Sequence, residues 1–147
     1  MNRLLFLISL LVASLVTLNC QSYTTGLEQN AGRADEGAVF AQMRAITRAQ
    51  SAYSITNANE YGTFEQLAAG SYLDGRFNTS GPKFYGYVFT MSVTPKTGSS
   101  EGSYRLNADP DPELKGTGRH FYIDSNSSRI HVNATQPASE TDETVAP

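Results

Sequence analysis

Between Ala34 and Asn57 apolar side chains return every three or four residues. Val39, Met43, Ile46, Gln50 and Tyr53 fall on one side of a helical wheel, and Arg44 and Arg48 fall opposite. That spacing predicts one amphipathic helix of about six turns. Ala38, Ala41, Ala45, Ala49 and Ala52 form a small-residue stripe beside the larger one, so the helix axis is expected to lie close to whatever it covers. Asp35 and Glu36 suit the positive end of the helix dipole, and Asn57 suits a stop. A second start signal follows. Thr63 and Gln66 have the spacing of a capping box, Phe64, Leu67 and Ala68 give a short helix, and Gly70 is expected to end it.

The period then changes from about 3.6 to 2. Phe84 to Val93 alternates, with Tyr85, Tyr87, Phe89, Met91 and Val93 on the side expected to be core. Ser103 to Ala108, His120 to Asp124 and Arg129 to Asn133 give three more strands, separated by turn-rich segments. Helices followed by strands predict an α+β fold: a long N-terminal helix packed on a four-stranded antiparallel sheet.

Neither period governs the ends of the chain. Arg3 precedes an unbroken apolar run from Leu4 to Leu18. The run is shorter than the roughly twenty residues of a membrane span and fits a signal peptide over residues 1–19. Cys20 follows at once and is the only cysteine. Its position resembles the lipidated cysteine of bacterial lipoproteins, although Thr17 and Asn19 stand where that pattern has a Leu-like and a small residue. A thioether would also remove an unpaired thiol from an oxidising compartment. Residues 20–33, polar and broken by Gly26 and Gly32, read as a lipidated tether, and 34–134 as the globular domain. Residues 135–147, acidic and without aromatics, read as a disordered tail.

Composition narrows the function classes. Fourteen acidic residues stand against eleven basic ones, and the three lysines are scattered, so no basic patch argues for nucleic acid. No phosphate-binding glycine loop or nucleophile elbow occurs, and no small-molecule substrate is evident. Asp109, Asp111 and Glu113 alternate with prolines, and Asp124 follows on the next strand; these are the candidates for a calcium site, set against a solvated loop. His120 and His131 read as strand histidines, since no zinc pattern accompanies them. Phe84, Val88, His120 and Tyr122 face away from the expected helix and are the candidate interaction surface.

Several motifs carry a family resemblance. Glu36, Met43-Arg44, Ile46, Ala49-Gln50 and Tyr53 resemble the helix segment of type IV pilins and type II secretion pseudopilins, just past the part that lies in the membrane. Tyr61-Gly62-Thr63-Phe64, Leu67-Ala68 and Tyr72-Leu73-Asp74 resemble the segment after that helix. Lys83 to Phe89, and Gly116 to Tyr122 with Asp124, resemble the first strand and the run into the last hairpin. The resemblance implies a pilin-like head and partners in a pilus or secretion apparatus. The prepilin cleavage site and long apolar half-helix of that family are not found here. The expectation is a non-enzymatic lipoprotein of the bacterial envelope, on its periplasmic or cell-surface side, held to the membrane by Cys20 and contacting other envelope proteins. The alternatives are a divergent pseudopilin that assembles into a fibre, and a small secreted hydrolase or metal-binding protein.

Overall fold

The chain is helical over 35–56, designated α1, with Val39, Met43, Ile46 and Gln50 wholly buried and Ala49 nearly so. Each of these apolar side chains contributes about 1.5–3 kcal/mol when fully buried, as an upper estimate. The alanine stripe is not part of this contact as a whole. Ala41 and Ala52 are exposed, and Phe40, half-buried, instead sets its ring edge-on to Phe121 at 4.8 Å. The computed structural model describes residues 35–114 and 118–145, all within the unit Asp35–Pro147. Cys20 and the expected signal peptide and tether lie outside the described residues.

Helix α1 ends in a left-handed cap. Ala58 has φ 54° and Asn59 φ 65°, and the Asn59 N–H donates back to the Ser54 carbonyl at 2.9 Å. Helix α2, Phe64–Ala69, opens with the expected capping box: the Thr63 hydroxyl accepts from the Gln66 N–H, and the Gln66 side chain accepts from the Thr63 N–H. The helix ends as expected at Gly70, the C-cap residue, whose φ of −81° is not left-handed. The left-handed residue is Ser71, φ 61°, with the Tyr72 N–H returning to the Leu67 carbonyl. Gly70 serves packing instead, because a Cβ there would sit 2.6 Å from the Tyr72 ring.

The sheet is antiparallel throughout and has six strands, not four: β1 Lys83–Phe84, β2 Tyr87–Thr94, β3 Ser103–Pro110, β4 His120–Asp124, β5 His131–Asn133 and β6 Glu143–Thr144. Each strand pairs with its neighbour in sequence. The extra strands have two origins. The expected first strand is broken at Tyr85-Gly86, where both residues have positive φ, 55° and 75°, as a type I′ hairpin turn requires. Tyr85 is therefore 49% exposed and not core. The expected tail folds back as well. Ala138 is buried, and β6 pairs with β5 through His131↔Thr144 and Val132↔Glu143.

Register puts side chains of the central strands in line across the sheet. Phe89, Ala108, Phe121 and Val132 form one row, and Met91, Leu106 and Ile123 form another. Most of these are buried, in one core with Val39, Met43 and Ile46 of α1. The next row on the opposite face is Thr90, Asn107, Tyr122 and His131. Residues after Asn133 cover part of it: the Asn107 side-chain amide donates to the Ala138 carbonyl at 3.0 Å.

Candidate interaction surface

The four residues expected to share an outward face are divided by the structure. The two-residue turn pairs Phe84 with Tyr87, which moves Phe84 to the core side of the sheet. There its ring lies 4.9 Å from Phe77, with the Arg76 guanidinium 5.1 Å above it. Tyr122 does point away from α1 but is 5% exposed. Its hydroxyl donates to Asp124 Oδ2 at 3.0 Å, and burial, reinforced by that carboxylate, pushes its pKa up to about 12. Val88 and His120 remain half-buried on that face, and His120 Nδ1 lies 2.6 Å from Asp109 Oδ1. The surface drawn from the sequence is thus divided: Phe84 joins the core side, Tyr122 is buried on the opposite face, and Val88 and His120 are half-buried there.

The calcium candidates are likewise engaged one by one. Asp109 meets His120, as described. Asp111 is 1% exposed and turns the chain into a 3-10 turn, Pro112–Leu114, by accepting the Glu113 N–H at 3.0 Å. Lys83 Nζ sits 3.0 Å from Asp111 Oδ2 and 2.6 Å from Glu113 Oε2. The Lys83–Asp111 contact is an ion pair. The Lys83 ammonium, followed by the Glu113 N–H, holds the Asp111 carboxyl below the usual carboxylate range. Asp124 lies at the other end of β4 from this cluster, accepting the N–H groups of Asn126 and Ser127 in the β4–β5 turn. Among the described residues, no group of three or more His, Cys, Asp or Glu converges as metal ligands would.

Three features carry no signal in the local sequence pattern. The first is a joint at the base of α1. Gln50 donates to the Gly62 carbonyl at 2.6 Å and accepts the Gly62 N–H at 3.0 Å, and its amide also reaches Met91 Sδ at 3.0 Å. A polar residue in an apolar stripe predicts some buried partner, but not which one. The second lies at the other end of the helix. Arg119 grips Glu36 with Nη2 at 2.7 Å and Nε at 3.2 Å. Beneath them is the Tyr87 hydroxyl, buried and without a hydrogen-bond partner among the described residues. Burial, then the Glu36 charge, pushes its pKa to about 12. A Cβ on Gly118 would collide with that hydroxyl, so glycine is needed there to let the ring in.

The third feature is a pair of grooves. One, about 550 Å³, has Phe40, Ile130 and Val145 as apolar lining with the exposed Arg44 and Arg129 beside it. The other, about 630 Å³, lies between the end of α1 and the end of β2, lined by Tyr53, Asn57, Tyr61, Gln66, Val93 and Pro95. Tyr61 is fixed edge-on to Tyr104 at 5.0 Å, and Tyr53 to Tyr72 at 5.4 Å. Held aromatic rings beside polar groups suit protein contact, since little side-chain freedom is lost on binding. Among the described residues no helix is long and apolar enough to cross a membrane.

No family model matches the chain, and comparison with curated proteins and with solved structures finds no match.

Proposed function

We propose that the chain is a non-enzymatic lipoprotein of the bacterial envelope, with a pilin-like head held to a membrane through Cys20 and a role in binding other envelope proteins. The observation that carries this reading is how the resembling segments meet. Gln50 of the helix motif holds both backbone groups of Gly62 in the segment after it. Arg119 of the run into the last hairpin returns to Glu36, the first residue of the helix motif. Met43 and Ile46 of the same motif are wholly buried in the core. Segments that resemble one family in order and spacing therefore also form the joints of one α+β unit.

The anchor is tested by growing cells on radioactive palmitate. The wild-type chain becomes labelled and Cys20→Ala does not; equal labelling of the two removes the anchor. Recovery of the protein in sheared filaments, with a processed and N-methylated phenylalanine end, would replace this reading with that of an assembling pseudopilin.

A further inference from the structure

The outer edge of β2 is only partly covered. The Phe89 N–H donates to the Pro82 carbonyl at 2.9 Å, on the side of β1. The Gly86 carbonyl accepts the Asp111 N–H on the side of β3. Alternation along a strand then settles the remainder: odd-numbered residues of β2 turn their backbone groups outward, and even-numbered ones turn theirs to β3. Strand β1 begins at Lys83, opposite Val88, and only Pro82 continues the pairing past it. Among the described residues, no hydrogen bond reaches the outward N–H and C=O of Met91 or Val93. These two residues present donors and acceptors at the repeat of a strand, about 6.6 Å apart.

Natural sheets protect such edges with charge, proline or a covering segment. Strand β2, YVFTMSVT, contains neither charge nor proline. The segment that passes beside it does not pair with it either, because the Gly62 N–H and C=O are both taken by Gln50. The groove of Tyr53 and Tyr61 opens beside this edge, with Val93 and Pro95 contributing to its lining.

We infer that this edge takes an extended peptide from a protein partner as an added strand, bonded to the backbone of Met91 and Val93, with an apolar side chain seated between Tyr53 and Tyr61. Main-chain bonds supply affinity in this mode, and pockets for alternate side chains supply selectivity. The uncharged strand favours a peptide whose paired residues are uncharged. A single extended chain suits the place better than a second copy, because each copy would bring its own wall of Tyr53, Asn57, Tyr61 and Gln66 to the shared edge. The inference rests on the reading of the head as an interaction module and names where that interaction occurs. It does not depend on Cys20.

The test is selection of a phage-displayed dodecapeptide library on the purified full chain in detergent, followed by amide hydrogen exchange with the enriched peptides. Bound peptide is expected to slow exchange at Met91 and Val93 at least tenfold and leave Ser92 unchanged. Val93→Pro deletes an outward N–H, which an edge strand tolerates, and should weaken binding at least tenfold. The exchange pattern is read on the unaltered chain, so the result stands even where Val93→Pro does not fold. Failure to enrich any peptide, or protection confined to other amides, overturns the inference. So does equal binding to a folded Val93→Pro chain. A dimer that Val93→Pro dissociates would assign the edge to a second copy and overturn it equally. Palmitate labelling reads the anchor alone, so failure of the anchor and failure of the edge are distinguishable.

Discussion

Gln50 and Gly62 satisfy each other: one side-chain amide donates to the glycine carbonyl at 2.6 Å and accepts its N–H at 3.0 Å, both buried. The side chain performs the work of a neighbouring strand. Gln50→Leu keeps the volume and removes both bonds, leaving two buried backbone groups unpaired. Each such group costs about 1–3 kcal/mol, so the variant should lose about 2–6 kcal/mol of stability. Urea unfolding followed by circular dichroism checks this.

Both helices end on a left-handed residue that is not glycine, Ala58 and Ser71. Glycine carries no Cβ penalty in that conformation. Ala58→Gly should therefore stabilise the protein by about 0.5–1 kcal/mol, a gain visible as a higher thermal midpoint. The same exchange in the middle of α1, at Ala45, should lower the midpoint, because glycine there costs about 1 kcal/mol.

The Tyr87 hydroxyl is buried, unpartnered among the described residues, and pressed against Gly118. Gly118→Ala forces the ring or the backbone to move and should cost about 1–3 kcal/mol. Tyr87→Phe removes a polar atom that gains nothing from its surroundings, and should leave stability unchanged or raise it by up to about 1 kcal/mol. In the Gly118→Ala background the same change should recover part of the loss. Denaturant midpoints of the four proteins decide the matter.

Stability should fall at both extremes of pH. The Asp142 carboxyl is held below its ordinary value of 3.8, first by the Ser139 hydroxyl and then by the Asn133 amide. Asp111 is held low by Lys83. For both, the unfolded chain takes up the proton first as pH drops. Their contribution is therefore complete above about pH 5 and is lost as pH falls through the folded values. Tyr87 and Tyr122 act oppositely. Their folded values are raised from 10.0 to about 12, so the stability they protect is complete below pH 10 and is lost between there and about 12. Thermal midpoints from pH 2 to 12 should show both limbs. Asp142→Asn should flatten the acid limb and Tyr122→Phe the alkaline one.

Residues 135–145 belong to the folded unit. Asp142 accepts from the Ser139 N–H and hydroxyl and from the Asn133 amide, its own carbonyl lies 2.8 Å from His131 Nδ1, and Ala138 is buried against the sheet. Deleting residues 135–147 removes several hydrogen bonds worth about 1 kcal/mol each, so a loss of about 2–4 kcal/mol is expected. Limited proteolysis of the deletion variant should proceed faster than that of the full chain.

These cases also mark where the sequence is legible. The buried stripe of α1, the Thr63 capping box and the limits of β4 follow from patterns a few residues long, and the α+β class follows from their order. The hairpin turn escapes such reading because Phe84-Tyr85-Gly86-Tyr87 continues the alternation without a break. Tyrosine is also an unusual first residue for that turn. The closing strand escapes because Glu143 and Thr144 are polar, and burial nearby comes from one alanine and a carboxylate bracket, neither of which repeats. Phe84 lies on the core side because of the turn alone, since a two-residue reversal changes the face of every residue before it. The Gln50 joint, the Arg119 grip and the open β2 edge depend on residues far apart in sequence, which no local period reports.

The order of the elements has a consequence for synthesis. Helix α1 leaves the ribosome before any strand exists, and Phe89, Leu106, Phe121 and Ile123, which share its core, follow much later. Until β2 and β3 have emerged, Val39, Met43 and Ile46 have no sheet to lie on, and until β4 follows that sheet is incomplete. The nascent chain therefore carries an uncovered oily stripe from the emergence of α1 until its strands follow, and that interval is when it is most exposed to aggregation.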